Sequence, residues 1–302
     1  MRLNLQYIHS AVDRSWKNMH AVCAYRKCRN TMLMRSVPQN RVGIRVGDHW
    51  YCGVDCFAEA AFLRFSALRE GRVIEMPHNP RLSIGLVLLS KGSLTDDQLR
   101  YAIAESQQRG EELELTLTRL GLANEKQLAF ARAAQWGCPV LGQEGVREPI
   151  EADIPAILLR SWCAVPLHYS QNGRKLLMGF VYRVEHRLLL ALEQVTGCRA
   201  EPCFITPTEF EEQMARLTAV PDCDVVVEEE PQTPKQMANT VAQLAMEAVA
   251  RKAIFVECRD YLWTRLSGSR RTVDVLFRTP NQCDSTRMQR FSTFPQKTLV
   301  PG

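Results

Sequence analysis

Between Leu82 and Leu141 the chain aligns on itself with an offset of 29 residues. Ile84 matches Leu113, Leu88 matches Leu117, Gly92 matches Gly121, Gln98 matches Gln127, Leu99 matches Leu128 and Ala102 matches Ala131. A period of this length is that of one supersecondary unit present twice, here a helix–turn–helix. Thr95 stands three residues before Gln98, and Asn124 three before Gln127, so each second helix starts with a capping box. Gly92 and Gly121 precede these boxes, where each first helix must end. The second copy predicts a stop at Gly137, with Pro139 soon after it.

The rest of the chain has other periodicities. Residues 150–218 alternate the short apolar runs Cys163–Leu167 and Leu176–Val181 with a helical stretch from His186 to Val195. A further strand is predicted at Cys198–Ile205. Thr206-Pro207-Thr208-Glu209 has the cap, first-position proline and capping-box glutamate of a helix start. Residues 219–236 hold three prolines and the acidic run Glu228–Glu230, which predicts a solvated linker. A helix is expected over 237–252, then strands over 253–257, 261–266 and 273–277, and residues 281–302 are expected to be disordered.

The 302 residues are 46% hydrophobic, enough for more than one core. No apolar run reaches the ~18 residues of a membrane span, and the first residues lack the apolar stretch of a signal peptide, so a cytoplasmic location is expected. The 11 cysteines are an odd number. Cys138, Cys163, Cys198, Cys203 and Cys258 stand singly among apolar residues and read as reduced core thiols. The net charge of +5 combines two mildly basic ends with an acidic middle, too little to name nucleic acid as a partner.

Four cysteines differ from the others. Cys23-x4-Cys28 and Cys52-x3-Cys56 form two close pairs, and in a reducing compartment paired thiols point to zinc. Four thiolates complete a tetrahedral ion and leave no open position, so the site is structural. Cys56 falls at the start of a helix near Phe57, where the helix N-terminus favours a thiolate. The pattern WYCGVDCF resembles treble-clef zinc fingers, whose second pair lies between a turn and a helix. His20 and His49 lie beside the pairs, and replacement of a thiol by either stays open.

The repeat carries a family resemblance. Ile84-Gly85-x-x-Leu88-x-x-x-Gly92 with Gln98-Leu99-x-x-Ala102, then Leu117-x-x-x-Gly121 with Leu128-x-x-Ala131-x-x-x-Gln135 and Gly137-x-Pro139, resembles the N-terminal (MshEN) domain of GspE/PilB/MshE-type secretion and pilus ATPases. The likeness runs through Val165-Pro166-Leu167 and Thr196-Gly197 to Pro207-Thr208-Glu209. In some members the paired motifs bind cyclic di-GMP, which implies Ile84, Gly85, Leu88, Gly92, Leu117 and Gly121 as ligand-contacting positions here. The arginine expected before Ile84 is Ser83, its counterpart is Glu112, and the second-copy glycine is Glu114; Arg81 lies two residues off. Carboxylates in place of an arginine would repel phosphates. Residues 241–266 are similar to the following ATPase segment, with Glu257, Trp263 and Arg265 at its acidic and W-x-R positions.

The expected fold is therefore α+β in three pieces: a four-cysteine finger with its helix (18–72), an MshEN-like domain (76–218; repeat 81–141, α/β part 150–218) and, after the linker, a truncated α/β remnant (237–280). The sequence contains no G-x-x-x-x-G-K-[ST], G-x-S-x-G, H-E-x-x-H or G-x-G-x-x-G, so no catalytic residues and no ATP hydrolysis are expected. The resemblance implies a non-catalytic interaction or regulatory protein that docks on an inner-membrane platform component of a type II secretion or type IV pilus machine. The alternatives are a cyclic di-GMP receptor with a degenerate motif and a zinc-finger nucleic-acid regulator.

Overall fold

The computed structural model describes residues 20–28, 30–33, 43–70, 82–141, 154–170, 172–218, 224–230, 232–258 and 261–279. The expected tail over 281–302 lies outside them. Near the N-terminus, β1 (His20–Val22) and β2 (Thr31–Leu33) form an antiparallel hairpin. A second hairpin, β3 (Ile44–Val46) and β4 (His49–Tyr51), turns through Gly47 at a left-handed φ of 58°. Helix α1 (Val54–Glu70) follows, and its Phe57, Ala61 and Phe65 are fully buried. Spaced four apart, they form one apolar stripe that needs an opposing surface.

The repeat folds as two helix pairs, α2 (Ile84–Ser90) with α3 (Asp96–Arg109) and α4 (Leu113–Arg119) with α5 (Glu125–Trp136). Both capping boxes are present. The first helices also end alike: Gly92 N–H donates to Leu89 O and Ser93 N–H to Leu88 O, and Gly121 and Leu122 do the same to Thr118 and Leu117. These are paired Schellman closures, which need the left-handed φ of 68° and 67° that glycine adopts without strain. Leu88, Leu99, Ala102, Leu117, Leu128 and Ala131 form the small core between the helices. The same residues that repeat in sequence are therefore the ones that pack.

Next come α6 (Ala156–Trp162), β5 (Ala164–Ser170), β6 (Lys175–Phe180), α7 (His186–Thr196), β7 (Arg199–Phe204) and α8 (Pro207–Thr218). β5 pairs antiparallel with β6, and β6 parallel with β7 through the α7 crossover. The stretch after α5 runs along β7, with Phe204 N–H donating to Pro139 O at 2.9 Å, so the helical repeat is fastened to this sheet. Burial raises the Cys163 thiol to about 11 and the Cys203 thiol to about 12, which keeps both protonated, as core thiols are.

The C-terminal part departs most from expectation. It contains β8 (Val225–Glu228), α9 (Pro234–Glu247), β9 (Ala250–Cys258), β10 (Tyr261–Gly268) and β11 (Thr272–Arg278). They join the N-terminal hairpin in one six-stranded sheet of order β4-β3-β9-β10-β11-β8. The finger over 18–72 and the remnant over 237–280 are thus not separate pieces. The stripe of α1 and the apolar face of α9 cover one side of this sheet, with Phe65 edge-on to Phe255 and Phe277 at 5.3 and 5.4 Å. Val256, Trp263 and Leu276 on the other side share a core with β5, β6 and α7.

Two boundaries also shift. Val225–Glu228, within the expected linker, is an edge strand parallel to β11, because three consecutive valines favour a strand over solvated coil. Helix α9 starts at Pro234 because Thr233 and Gln236 form a capping box, and it ends at Glu247 rather than 252, before a chain reversal through Val249 at φ 52°.

A shared core predicts shared stability. Phe65→Ala should cost about 3–5 kcal/mol and reduce hydrogen-exchange protection in β9, β10 and β11, about 200 residues away in the chain. Exchange unchanged in those strands would mean that the N-terminal helix is only loosely attached.

Candidate metal centre and ligand motif

The four expected cysteines come together. Cys23 follows β1 and Cys28 precedes β2, so the first pair sits in the loop of the first hairpin; Cys52 follows β4 and Cys56 lies in the first turn of α1. The hairpins are tied where the pairs meet: Ala24 N–H donates to Trp50 O at 2.8 Å and Cys28 N–H to Tyr25 O at 2.9 Å. All four Sγ atoms lie within 4.8 Å of one another, with Cys28–Cys52 at 3.6 Å and Cys52–Cys56 at 3.8 Å. A tetrahedral ion with sulfur at about 2.3 Å sets sulfur–sulfur edges of about 3.8 Å. All four are free thiols. His49 is exposed and is not among the grouped ligands.

The thiols perturb one another in a way that a cation would relieve. The backbone at Asn30 and then the Cys52 thiol hold Cys28 below the usual thiol range. Burial, then the hydrogen bond with Cys28, raises Cys52, and burial with the same neighbour raises Cys56 further. Four thiols this close cannot all ionise unaided, and a divalent ion makes all four thiolates favourable at once.

The six residues expected to contact a ligand take structural roles. Gly85 is buried, and a Cβ there would stand 2.6 Å from Leu99 Cδ1, so glycine allows the close approach of α2 and α3. Leu88 and Leu117 are core, Ile84 packs against that core, and Gly92 and Gly121 make the helix closures. Ser83 and Glu112 are N-caps of α2 and α4 without a side-chain capping bond.

Glu114 is different. Its carboxylate accepts from Arg132 Nε at 3.0 Å and from Nη2, while Arg132 Nη1 donates to Val181 O at 2.9 Å. The guanidinium also lies 5.2 Å from the Tyr182 ring centre. Arg132 is 3% exposed. Its counterpart in the first copy is Ile103, and that of Glu114 is Gly85. The two departures from the repeat therefore compensate each other: a buried arginine links the helices to the sheet, and Glu114 neutralises it. The pair borders a cleft of about 40 Å3, lined also by Leu128, Tyr182 and Pro207. That is far below the roughly 300 Å3 of the smallest usual ligand pockets. Glu125 closes its rim by accepting from Thr208 Oγ1 at 2.8 Å, at the start of α8.

No known family profile matches the chain. The type IV pilus assembly ATPase PilB of Thermus thermophilus is 26% identical over 129 residues, which are 42% of this chain but only 14% of that protein. Among solved structures, one of MshE with cdg aligns at 21% identity with a TM-score of 0.38, covering 45% of this chain and 99% of that one. The N-terminal domain of XpsE aligns at 21% identity with a TM-score of 0.35, covering 44% of this chain and 92% of that one. The chain thus contains a segment similar to part of a type IV pilus assembly ATPase, and it spans well under two thirds of that relative's length.

Two measurements probe these sites. Purified protein should hold one metal ion per chain, retained at neutral pH and released as falling pH protonates the thiolates. Cys56→Ser should weaken retention at least tenfold and loosen α1, and a metal-free protein with α1 intact would contradict the site. For the clasp, Glu114→Ala should cost about 3 kcal/mol by stranding Arg132, whereas Glu114→Gly with Arg132→Ile, the first-copy pair, should recover most of that in urea melts. Additive losses would mean that the two residues do not act as a unit.

Proposed function

We propose that this chain is a non-catalytic, zinc-stabilised interaction module that docks on a protein partner, the inner-membrane platform of a secretion or pilus machine being the favoured one. The zinc ion would be held by Cys23, Cys28, Cys52 and Cys56 and would supply structure, because four protein sulfurs leave no position for substrate or water. Docking is supported by the outward surface of the helical repeat. Tyr101 and Phe130 occupy the same position in the two copies and are 56% and 62% exposed, and Leu82 and Leu86 of the same helical repeat are exposed too. Aromatic side chains displayed in duplicate are suited to anchoring a partner.

The reading as a cyclic di-GMP receptor is less favoured by the geometry. Glu114 already occupies the guanidinium of Arg132, the cleft is small, and Ser83 and Glu112 add no cation. Among the described residues no helix is long and apolar enough to cross a membrane.

The test is direct binding of the full chain to the cytoplasmic domain of a platform protein. Tyr101→Ala with Phe130→Ala should weaken that binding at least tenfold, a typical loss for two anchors, and no binding by the unmodified chain would overturn the proposal. Calorimetry should show no cyclic di-GMP affinity and phosphate release no ATP turnover. Ser83→Arg with Glu112→Arg, keeping Glu114 so that Arg132 stays paired, should gain cyclic di-GMP affinity if only those contacts are missing. Micromolar binding by the unmodified chain would make it a receptor.

A further inference from the structure

One row of the six-stranded sheet is cationic where its neighbours are covered. Residues paired across strands share a face, and the register sets Trp50, Arg45, Lys252, Ser267 and Thr272 in line over β4, β3, β9, β10 and β11. The next rows on that face are Ile254–Arg265–Asp274 and Val256–Trp263–Leu276. They are closed by the α/β unit and by the buried Arg265–Asp274 pair, in which Nε and Nη2 donate at 2.8 and 2.6 Å. Among the described residues the outer row has no such cover: Arg45 and Lys252 are exposed, and Ser267 and Thr272 half-buried.

More cations extend the row. Ala24 bonds to Trp50 O, so the loop between Cys23 and Cys28 lies against the β4 end, and that loop carries exposed Arg26 and Lys27. At the other end Arg271 is taken by Asp224 and Glu247. Among the described residues Arg26, Lys27, Arg45 and Lys252 have no carboxylate within ion-pair distance, and Asp48 is the only carboxylate of the β3–β4 hairpin that carries Arg45. Arg45 and Lys252 are direct cross-strand neighbours, where like charges repel. With neighbouring strands about 4.8 Å apart, four spacings give a row about 19 Å long.

We infer that this row, with the tip of the metal loop, binds the phosphate backbone of a nucleic-acid strand without regard to sequence. A linear set of cations with hydroxyls in line matches a linear polyphosphate, since arginine, lysine, serine and threonine make such backbone contacts. A bilayer surface would call for apolar side chains beside the cations, and the row offers the buried Trp50 and two hydroxyls instead. The surface is distinct from Tyr101 and Phe130, so it stands or falls apart from the docking proposal.

The test uses the full chain and a fluorescein-labelled 20-base single-stranded DNA of mixed sequence, followed by anisotropy between 50 and 200 mM salt. With four phosphate contacts, log K should fall against log salt with a slope near −2.8. Arg45→Ser with Lys252→Ser should weaken binding tenfold or more at 100 mM salt and reduce the slope by about 1.4, again at about 0.7 per contact. Lys91→Ser with Lys126→Ser, an equal charge loss on the helical repeat, should leave it unchanged, and Arg45→Lys with Lys252→Arg should keep it. No binding at 50 mM salt overturns the inference, as does equal weakening by the helical control. Capture by anionic phosphatidylglycerol vesicles without DNA binding would assign the row to a membrane and overturn it as well.

Discussion

The parallel pairing of β3 with β9, made through Arg45 against Lys252 and Val46 against Ala253, holds the two ends of the described chain in one sheet. It is short, so it depends on what lies behind it. Phe57 and Phe65 of α1 reach Phe255 and Phe277 on the sheet, and α9 closes the same layer. Without that apolar layer the cysteine segment would have almost no core, since its own buried cluster contains little beyond Cys23 and Trp50. The four-cysteine cluster and the aromatic layer are therefore complementary supports of one element, with Cys56 at one end of α1 and Phe65 further along it.

Two buried polar contacts lie where the units meet. Arg132 reaches from the helical repeat to Val181 at the end of β6, and within the six-stranded sheet Asp274 receives both Arg265 and the Trp263 ring nitrogen, the latter at 2.7 Å, on the face that packs on the α/β unit. Each is buried and has its partners, so each fixes an orientation as well as contributing energy. Arg132 also explains why the second copy of the repeat cannot simply mirror the first.

What could be read from sequence was governed by local chemistry. The capping boxes and glycine closures were legible because each is decided within five residues, the repeat because they recur at a fixed offset, and the cysteine spacing because ligand geometry limits it. The β3–β9 pairing was not legible: a three-residue strand has no usable periodicity, and its partner lies about 200 residues away. β8 was hidden because its valines stand beside an acidic, proline-bearing stretch. At Glu114 the sequence suggested a lost ligand contact, whereas the structure gives a salt-bridge partner. The signal for that partner was present, as Gly85 and Ile103 change together to Glu114 and Arg132 between the copies.

The shared sheet also has a consequence for how the chain is made. At 5–20 residues per second, β9 leaves the ribosome roughly 10–40 seconds after β3. During that interval the apolar stripe of α1 has no sheet to cover it, while the four cysteines on the same stretch are already synthesised and able to close around an ion. Metal capture at the N-terminal end would then act as a chaperone built into the sequence, holding the helix start and both hairpins in place until the last strands arrive.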